Sequence, residues 1–502
     1  MKKQSVVSSI LWLTIAEVFF NLSGYIIHSS LGRMLGPADY GRYALIITLT
    51  TMVIMLIGNG IPTAMSKYLS EIFETKPDLV FVIKKQAAIL QFSLIGIVTL
   101  AFYLLAPVIA VLLGDPSLTP LLKISTFIIP SYAAASFYLY YYIGIHRFSM
   151  QSTMKIIRSF ARIGFVLWLA YLFKLKGSIA SYILSPAPVF LIAFLVDKFW
   201  INKQFPKKSI HTFDWKKLLN YAWPVTLFML FYEMLISLDL YMVKALLHDD
   251  ALTGIYNASL TVGRIPYYLF YALTMVMLPS ISRTTSQNDH TETNRIISQT
   301  FRIMIMLLFP LTIAMIAYAS PLVSLFFGSK FALAALSTQI LTFGVAFLTV
   351  FYVMCFALNG AGMVFIPMYI SLFGMILNGV LNYFLVLKYG ITGSAIATSI
   401  TAIVITIIIL FFIHKHFKGL MRIKSFLKFF LAGTVMTLAS FLFPAHNLLF
   451  ILWSFVLTGI YIMALYFLGE FTKKDISLFH HMLFSRKKKA SPASPEDANQ
   501  LN

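Results

Sequence analysis

Long runs of apolar residues, broken by short clusters of charged and turn-forming residues, make up most of the chain. Residues 331–387 form a stretch of 57 residues without Asp, Glu, Lys or Arg. A membrane-spanning helix needs about 20 predominantly apolar residues, so this stretch is long enough for two helices and a turn. Alternation of polar and apolar positions, which is typical of outer-membrane barrels, is not the pattern. The chain is therefore predicted to be an all-α polytopic membrane protein.

Division of the chain at charge clusters and turn residues predicts fourteen transmembrane helices. The first apolar run is longer than the 7–15 residues of a signal-peptide core, so we expect it to be an uncleaved span. The fifth predicted span, residues 153–173, contains Arg158 and Arg162 in its predicted cytoplasmic half. The predicted spans are residues 8–30, 43–66, 85–105, 118–144, 153–173, 178–199, 218–239, 252–281, 296–318, 331–358, 364–387, 391–413, 426–443 and 448–468.

Composition and charge agree with this topology. Only 11% of the residues are charged and the mean hydropathy is +0.83, whereas soluble domains carry about 25% charged residues. Cytoplasmic loops of membrane proteins are enriched in Lys and Arg, and with the N-terminus inside, 30 of the 39 Lys and Arg residues fall on the cytoplasmic side. Both termini are thus predicted to be cytoplasmic. The net charge of +21 is explained by topology, and nucleic-acid binding is not predicted.

The two halves of the chain carry a weak internal repeat. "DYGRYA" (39–44) is echoed by "LTGIYNA" (252–258), "FY" (137–138) by the same pair at 351–352, and "KGSIAS" (176–181) by "TGSAIAT" (392–398). The offsets between matching residues lie between 213 and 216 positions. This predicts two six-helix lobes at 1–197 and 218–414, a cytoplasmic linker at 198–217, two added helices at 415–485 and a disordered basic tail at 486–502.

The first two predicted helices of the two lobes together contain four charged residues: Glu17, Glu233, Asp239 and Arg264. Such residues cost roughly 2.5–3.5 kcal/mol each on insertion scales and usually face a partner or a cavity. Glu17 and Arg264 are predicted at similar depth in opposite lobes, and we expect them to pair in one conformation. The structural alternatives are a hydrogen-bonded Glu17 and an Arg264 that reaches lipid phosphates.

Enzyme chemistry is not predicted. The predicted outer loops are short, no GxxxxGK[ST] phosphate-binding loop is present, and no cluster has the spacing of metal ligands. No catalytic or metal-binding residue is therefore expected. Two paired lobes with charges inside the membrane favour transport by alternating access.

The segment "LGRMLGPADYGRYALIITL", followed by "GIPTAMSKYLSE" (60–71), resembles the N-terminal signature of polysaccharide or oligosaccharide flippases. These proteins belong to the multidrug/oligosaccharidyl-lipid/polysaccharide exporter superfamily. The resemblance implies two lobes around a central cavity, in a prokaryotic plasma membrane. It also implies a flippase that moves a polyprenyl-diphosphate-linked oligosaccharide, a surface-polysaccharide repeat unit, from the inner to the outer leaflet. A peptidoglycan-precursor flippase and a cation-coupled multidrug antiporter remain alternatives.

The resemblance also suggests which residues act. Arg33, Arg42 and Arg264 are the expected contacts of the anionic head group, since arginine matches phosphate geometry. Glu17, Glu233 and Asp239 are candidates for gating, or for coupling to protons or sodium; no other cofactor is expected. The expected partners are the lipid-linked glycan, membrane lipids and glycan polymerase or assembly proteins, and the chain is expected to be a monomer.

Overall fold

A computed structural model describes residues 6–58, 60–73, 75–206, 211–287, 289–418, 420–444 and 448–470. Within these ranges all regular secondary structure is helical, which confirms the predicted all-α class. The predicted tail at 486–502 lies outside the described residues. The α-helices are α1 (Val6–Gly58), α2 (Gly60–Ile72), α3 (Leu79–Leu112), α4 (Thr119–Thr126), α5 (Ile128–Gly144), α6 (Phe148–Leu184), α7 (Ala187–Val196), α8 (Lys216–Leu247), α9 (Asp250–Gly263), α10 (Ile265–Ser286), α11 (His290–Ala317), α12 (Ala319–Phe327), α13 (Ala334–Gly360), α14 (Phe365–Phe417), α15 (Ile423–Ser440) and α16 (Leu449–Phe467).

Three of the longest helices each contain two predicted spans joined by a sharp turn. The backbone leaves the helical region at Gly36 in α1, at Lys174 in α6 and at Gly390 in α14. Gly36 has φ 75° and precedes Pro37, so the turn predicted from this Gly-Pro pair is present. The described helices supply the fourteen predicted spans when they are divided at these turns and adjoining helices are counted together. The helices counted together are α4 with α5, α9 with α10, α2 with the second part of α1, α7 with the second part of α6, and α12 with α11.

The eighth predicted span is not one continuous helix. It breaks at Arg264, which ends α9 and precedes α10 with φ −86° and ψ 2°. Pro266 lies in the first turn of α10, where its missing N–H and fixed φ are tolerated, whereas inside a helix they would not be. The break leaves Arg264 at the junction of two helices.

The internal repeat has a structural counterpart at the turns of α6 and α14. Lys174 and Gly390 are 216 positions apart and share nearly the same backbone angles, φ 51° and ψ −131° against φ 58° and ψ −139°. Three residues later, a Cβ at Gly177 would collide with the Leu169 carbonyl oxygen, and one at Gly393 with the Leu385 carbonyl oxygen. The two lobes therefore build the same tight hairpin.

The lobes are joined most extensively at the end of the bundle that carries Gly36, Lys174 and Gly390. We call it the outer end, as the charge distribution predicts. One hydrophobic core there runs through both lobes, with buried Tyr40 and Tyr256 among its members.

A second core belongs to the second lobe and the two added helices. The third, toward the opposite, inner end, is built mainly by the first lobe but takes in Leu218 and Ala222 of α8, so α2 and α8 also join the lobes there. The structure thus describes a conformation that is closed at the outer end, with the lobes also in contact at the inner end through α2 and α8.

Candidate functional site

Three basic residues form a stripe on the first half of α6. Lys155, Arg158 and Arg162 are three and four positions apart, so they share one helix face. This face packs against the first part of α1. Lys155 forms an ion pair with Glu17, and Arg162 donates a 2.8 Å hydrogen bond to the Phe20 carbonyl oxygen.

Arg158 is the least satisfied member of this stripe. It is 4% exposed, its guanidinium carbon lies 3.6 Å from the centroid of the Tyr132 ring, and its Nη2 has no hydrogen-bond partner among the described residues. The Nε of Arg162 is likewise buried without a partner there. A buried donor without an acceptor costs about 1–3 kcal/mol, and more when charged. The stripe on α6 therefore holds N–H donors that lack an acceptor within the described ranges and are suited to bind an anion.

Arg264 occupies the facing lobe. It donates a hydrogen bond to the Ile236 carbonyl oxygen and interacts electrostatically with Asp239 and Glu233. Tyr268 interacts with Arg264 of its own lobe and with Arg162 of the other lobe. Hence Arg162 and Arg264, from different lobes, both act on the same tyrosine.

We call Arg158, Arg162 and Arg264 the arginine cluster. Tyr25 of α1 meets Tyr268 edge-on, with ring centroids 6.2 Å apart, so tyrosines contribute to the boundary between the lobes. Phosphate groups bind well to arginine, which presents several N–H donors in a planar fork. The cluster has the charge and the unused donors to bind one.

The structure brings Glu233, Asp239 and Arg264 together, as their positions in consecutive spans allowed. It does not pair Glu17 with Arg264: Glu17 is bound to Lys155. Pairing of Glu17 with Arg264 in another conformation stays a prediction.

Asp239 lies in a buried group of oxygen-bearing side chains. Its carboxylate accepts hydrogen bonds from the Leu240 N–H (2.8 Å), the Tyr256 hydroxyl (3.0 Å) and the Thr398 hydroxyl (3.2 Å). Tyr256 also interacts with Ser394, which continues the group. No cluster of three or more His, Cys, Asp or Glu suited to a metal ion exists among the described residues.

The group of oxygens extends to two asparagines of α14. Ser394 donates to the Asn382 amide oxygen at 2.6 Å, and Asn382 donates to the Asn378 amide oxygen at 2.6 Å. Both asparagines are fully buried. The group therefore joins one buried carboxylate to a chain of hydrogen-bonded hydroxyl and amide side chains.

Arg33 and Arg42 lie apart from the arginine cluster, at the outer end. Arg33 donates to the carbonyl oxygens of Phe326 and Leu325, at 3.1 and 2.5 Å. Arg42 donates to Asp250 at 2.6 Å and lies 3.7 Å from Asp115. Both arginines join the two lobes in this conformation.

Lys244, which is 2% exposed, is a second cation beside Arg42 at this end of the bundle. It lies 2.9 Å from Asp115 and 2.5 Å from Asp250. Partial burial acts to raise the pKa of Asp115, but hydrogen bonds from Ser117 and Lys244 outweigh it, and the net effect lowers that pKa. We call Arg42, Asp115, Lys244 and Asp250 the outer ion-pair network; it links both lobes.

Sequence reasoning did not select Arg158 and Arg162 as candidates. A signal was present, because two arginines inside a predicted span are costly unless they meet a partner. Their placement in the cytoplasmic half made them resemble topology-determining charges. The packing of α6 against α1 places them inside the bundle, where Arg158 is buried and Arg162 is half-buried.

The sequence of residues 6–285 matches the family model described as "Polysaccharide biosynthesis protein", which covers more than half of the chain. The chain belongs to this polysaccharide biosynthesis protein family. Residues 218–384 also match the MatE model. The family assignment, together with the helices described above, identifies a multi-pass membrane protein related to transporters.

Individual proteins agree with the family assignment. The chain is 25% identical to the uncharacterized membrane protein MJ1375 of Methanocaldococcus jannaschii, over 83% of this chain and 98% of that protein. It is 23% identical to the probable low-salt glycan biosynthesis flippase Agl15 of Haloferax volcanii, over 33% of this chain and 34% of that protein. Its fold resembles the lipid II flippase MurJ in an inward closed conformation, with a TM-score of 0.74, 19% identity, and coverage of 94% of this chain and 99% of that one.

Proposed function

We propose that this protein is a flippase that moves a polyprenyl-diphosphate-linked oligosaccharide from the inner to the outer leaflet. The observation that carries the proposal is the arginine cluster, in which Arg162 and Arg264 of opposite lobes both interact with Tyr268 and a donor of Arg158 in the first lobe is left unpaired among the described residues. A diphosphate supplies the acceptors that these guanidinium groups lack. The glycan then occupies the space between the lobes, and the polyprenyl chain stays in lipid.

Alternating access requires that the lobes separate at one end while they meet at the other. In the structure they meet at the outer end through the shared core and the outer ion-pair network. They also touch at the inner end, where Lys67 Nζ lies 4.2 Å from the centroid of the Tyr221 ring, so loading of the head group from the cytoplasmic side requires α2 and α8 to separate first. Opening of the outer end then releases it, and Arg33 and Arg42, freed from their present partners, can contact the departing head group.

We further propose that Asp239 couples transport to a cation. The cation would be Na⁺, held by Asp239 and neighbouring hydroxyl oxygens such as that of Thr398, and protonation of Asp239 is the alternative. Because Arg264 interacts with Asp239, a cation bound there weakens the hold of the carboxylate on this arginine and favours its contact with the diphosphate. Glu233, which also interacts with Arg264, and Glu17 are the further candidates for gating.

A second candidate is a peptidoglycan-precursor flippase, which is favoured by the similarity in fold to a lipid II flippase. With Lys155, Arg158 and Arg162 facing α1, the site is more basic than Arg33, Arg42 and Arg264 alone would make it. Both candidates carry a diphosphate, so the arginine cluster serves either. The plasma-membrane location, cytoplasmic termini, monomeric state and contacts with assembly proteins stay predictions.

Reconstitution into proteoliposomes tests the proposal. A fluorescent polyprenyl-diphosphate oligosaccharide is placed in both leaflets, and its exchange is followed by a membrane-impermeant quencher. We expect the wild-type protein to accelerate exchange and Arg158→Gln or Arg162→Gln to slow it by 10-fold or more, since hydrogen bonds to charged groups contribute about 1.5–3 kcal/mol each. Arg295→Gln is the control, because Arg295 is exposed and pairs with Glu292 one turn away. Equal exchange in empty and wild-type vesicles would refute the flippase assignment.

A further inference from the structure

A cavity of about 370 Å³ opens at the outer end of the N-terminal lobe, away from the arginine cluster. Its lining combines three cations with apolar side chains and one hydroxyl. This volume lies within the range of small-ligand sites. We call it the outer basic pocket; among its lining residues are Arg42, Lys174, Lys176, Ser117, Leu121 and Phe173.

Lys174 holds a backbone conformation that lysine rarely adopts. Its φ of 51° and ψ of −131° match the first central position of a type II′ turn, which glycine normally occupies. The second lobe has Gly390 at the repeat-equivalent position, with nearly the same angles. Since glycine would build this turn without strain, the lysine side chain is retained at a cost, and strained residues of this kind concentrate at functional sites.

The charge around the pocket is only partly balanced. Lys174 and Lys176 have no ion-pair partner within the part of the chain that the structure describes. Arg42 is bound to Asp250, which belongs to the other lobe. When the lobes separate, Asp250 leaves, and the three cations then outnumber Asp115 and Asp39, the two carboxylates of their own lobe that act on Arg42.

The pocket borders lipid as well as water. Phe173, next to Lys174, is 63% exposed although it lies in a span, and such apolar exposure is normal for a side chain that contacts acyl chains. A charged pocket beside an apolar, lipid-facing surface is typical of sites for anionic lipid head groups. An inorganic anion would contact the charged side chains of the pocket but not the apolar, lipid-facing surface beside it.

We propose that the outer basic pocket binds a lipid phosphate group in the outer leaflet. Two sources present this chemistry: the diphosphate of a newly translocated glycan lipid, and the head group of an anionic phospholipid. The first source rests on the proposed function. By competing with Asp250 for Arg42, a bound phosphate stabilises the conformation in which the outer end is open.

Native mass spectrometry of the full-length protein tests this proposal. Retention of phosphatidylglycerol and of a polyprenyl diphosphate is compared in the wild type, in Lys174→Gln/Lys176→Gln and in Lys174→Gly. The diphosphate arm is run in an Arg158→Gln background, to remove the arginine cluster as a second site. We expect retention of at least one lipid to fall about 10-fold in both variants, and the lipid that responds identifies the source. Lys388→Gln, beside the equivalent turn of the other lobe, is the control and should retain lipid as the wild type does.

Lys174→Gly separates binding from folding. Glycine relieves the strained turn, so this variant should unfold at a higher temperature than the wild type while it loses lipid. Wild-type retention of both lipids by Lys174→Gly and by the double variant would overturn the proposal. Retention of lipid requires no transport. If the wild-type protein did not accelerate flipping but its lipid retention still depended on the two lysines, the flippase assignment would be refuted and the lipid-binding pocket would be supported.

Discussion

The contact between Gly41 and Gly254 provides a precise test of how the outer end closes. The two glycines are 213 positions apart, as in the repeat, and they face each other across the lobes. A Cβ on Gly41 would lie 2.7 Å from the Gly254 nitrogen, and a Cβ on Gly254 would lie 2.9 Å from the Gly41 nitrogen. Ordinary contacts of this kind are 3.4–4 Å, so α1 and α9 cannot approach as closely once either glycine carries a side chain.

Gly41→Ala and Gly254→Ala should therefore destabilise the closed outer end. The colliding atoms are backbone, which cannot rotate away, and overpacking of this kind costs typically about 1–3 kcal/mol. At 1.4 kcal/mol per factor of ten, the population open at the outer end should rise by roughly 5-fold to 150-fold. In transport, this predicts slower loading from the cytoplasmic side.

Pulsed electron spin resonance measures this population directly. Spin labels on Lys123→Cys and Lys330→Cys report the distance between the outer ends of the two lobes, and Cys355 is fully buried, so it does not take up label. Gly164→Ala is the matched control, because a Cβ there meets no atom within 4 Å. If both alanine variants gave the distance distribution of the control, the glycine contact would not be what allows closure.

Three further outcomes are expected. Lys84→Met should lower the free energy of unfolding by about 3–5 kcal/mol, because it leaves the buried Asp197 without its ion-pair partner; thermal unfolding measures this, and a change under 1 kcal/mol would contradict it. Asp115 has a lowered pKa, so its stabilisation of the outer contact is present above its unfolded pKa and is lost as pH falls through the lower folded value. The open population measured by spin labels should rise on acidification, and should lose that dependence in Asp115→Asn. Asp239→Asn should abolish any stimulation of lipid exchange by a sodium or proton gradient; a variant that keeps the wild-type stimulation would exclude Asp239 as the coupling residue.

The fold could be predicted from sequence because apolar length and charge asymmetry act locally. Each span is recognised from its own residues, and the Gly36–Pro37 pair marks its turn without knowledge of the rest of the chain. The repeat was visible for a related reason: glycines such as Gly41 and Gly254 are required wherever two backbones must approach closely, and both lobes need them.

The candidate site was predicted less completely, because it depends on which helices pack together. Arg264 was recognisable from its position inside a span. The ion pairs of Arg42 in this conformation could not be recognised in the same way. Its partners Asp115 and Asp250 lie in a loop and at a helix start that are distant in sequence. Arg158 was overlooked because a cation near the cytoplasmic end of a span looks the same whether it faces water or the interior of the bundle.

The most direct test of the central claim compares two lipids that differ only at the head group linkage. The same oligosaccharide is attached to the same polyprenyl chain, through a diphosphate or through a neutral linker, and the exchange of each is measured in proteoliposomes. Recognition by the arginine cluster predicts rapid exchange of the diphosphate lipid by the wild type, and slow exchange of the neutral lipid. It also predicts that Arg158→Gln slows the diphosphate lipid to the rate of the neutral one. Equal rates for both lipids in the wild type, with no effect of Arg158→Gln, would contradict the account.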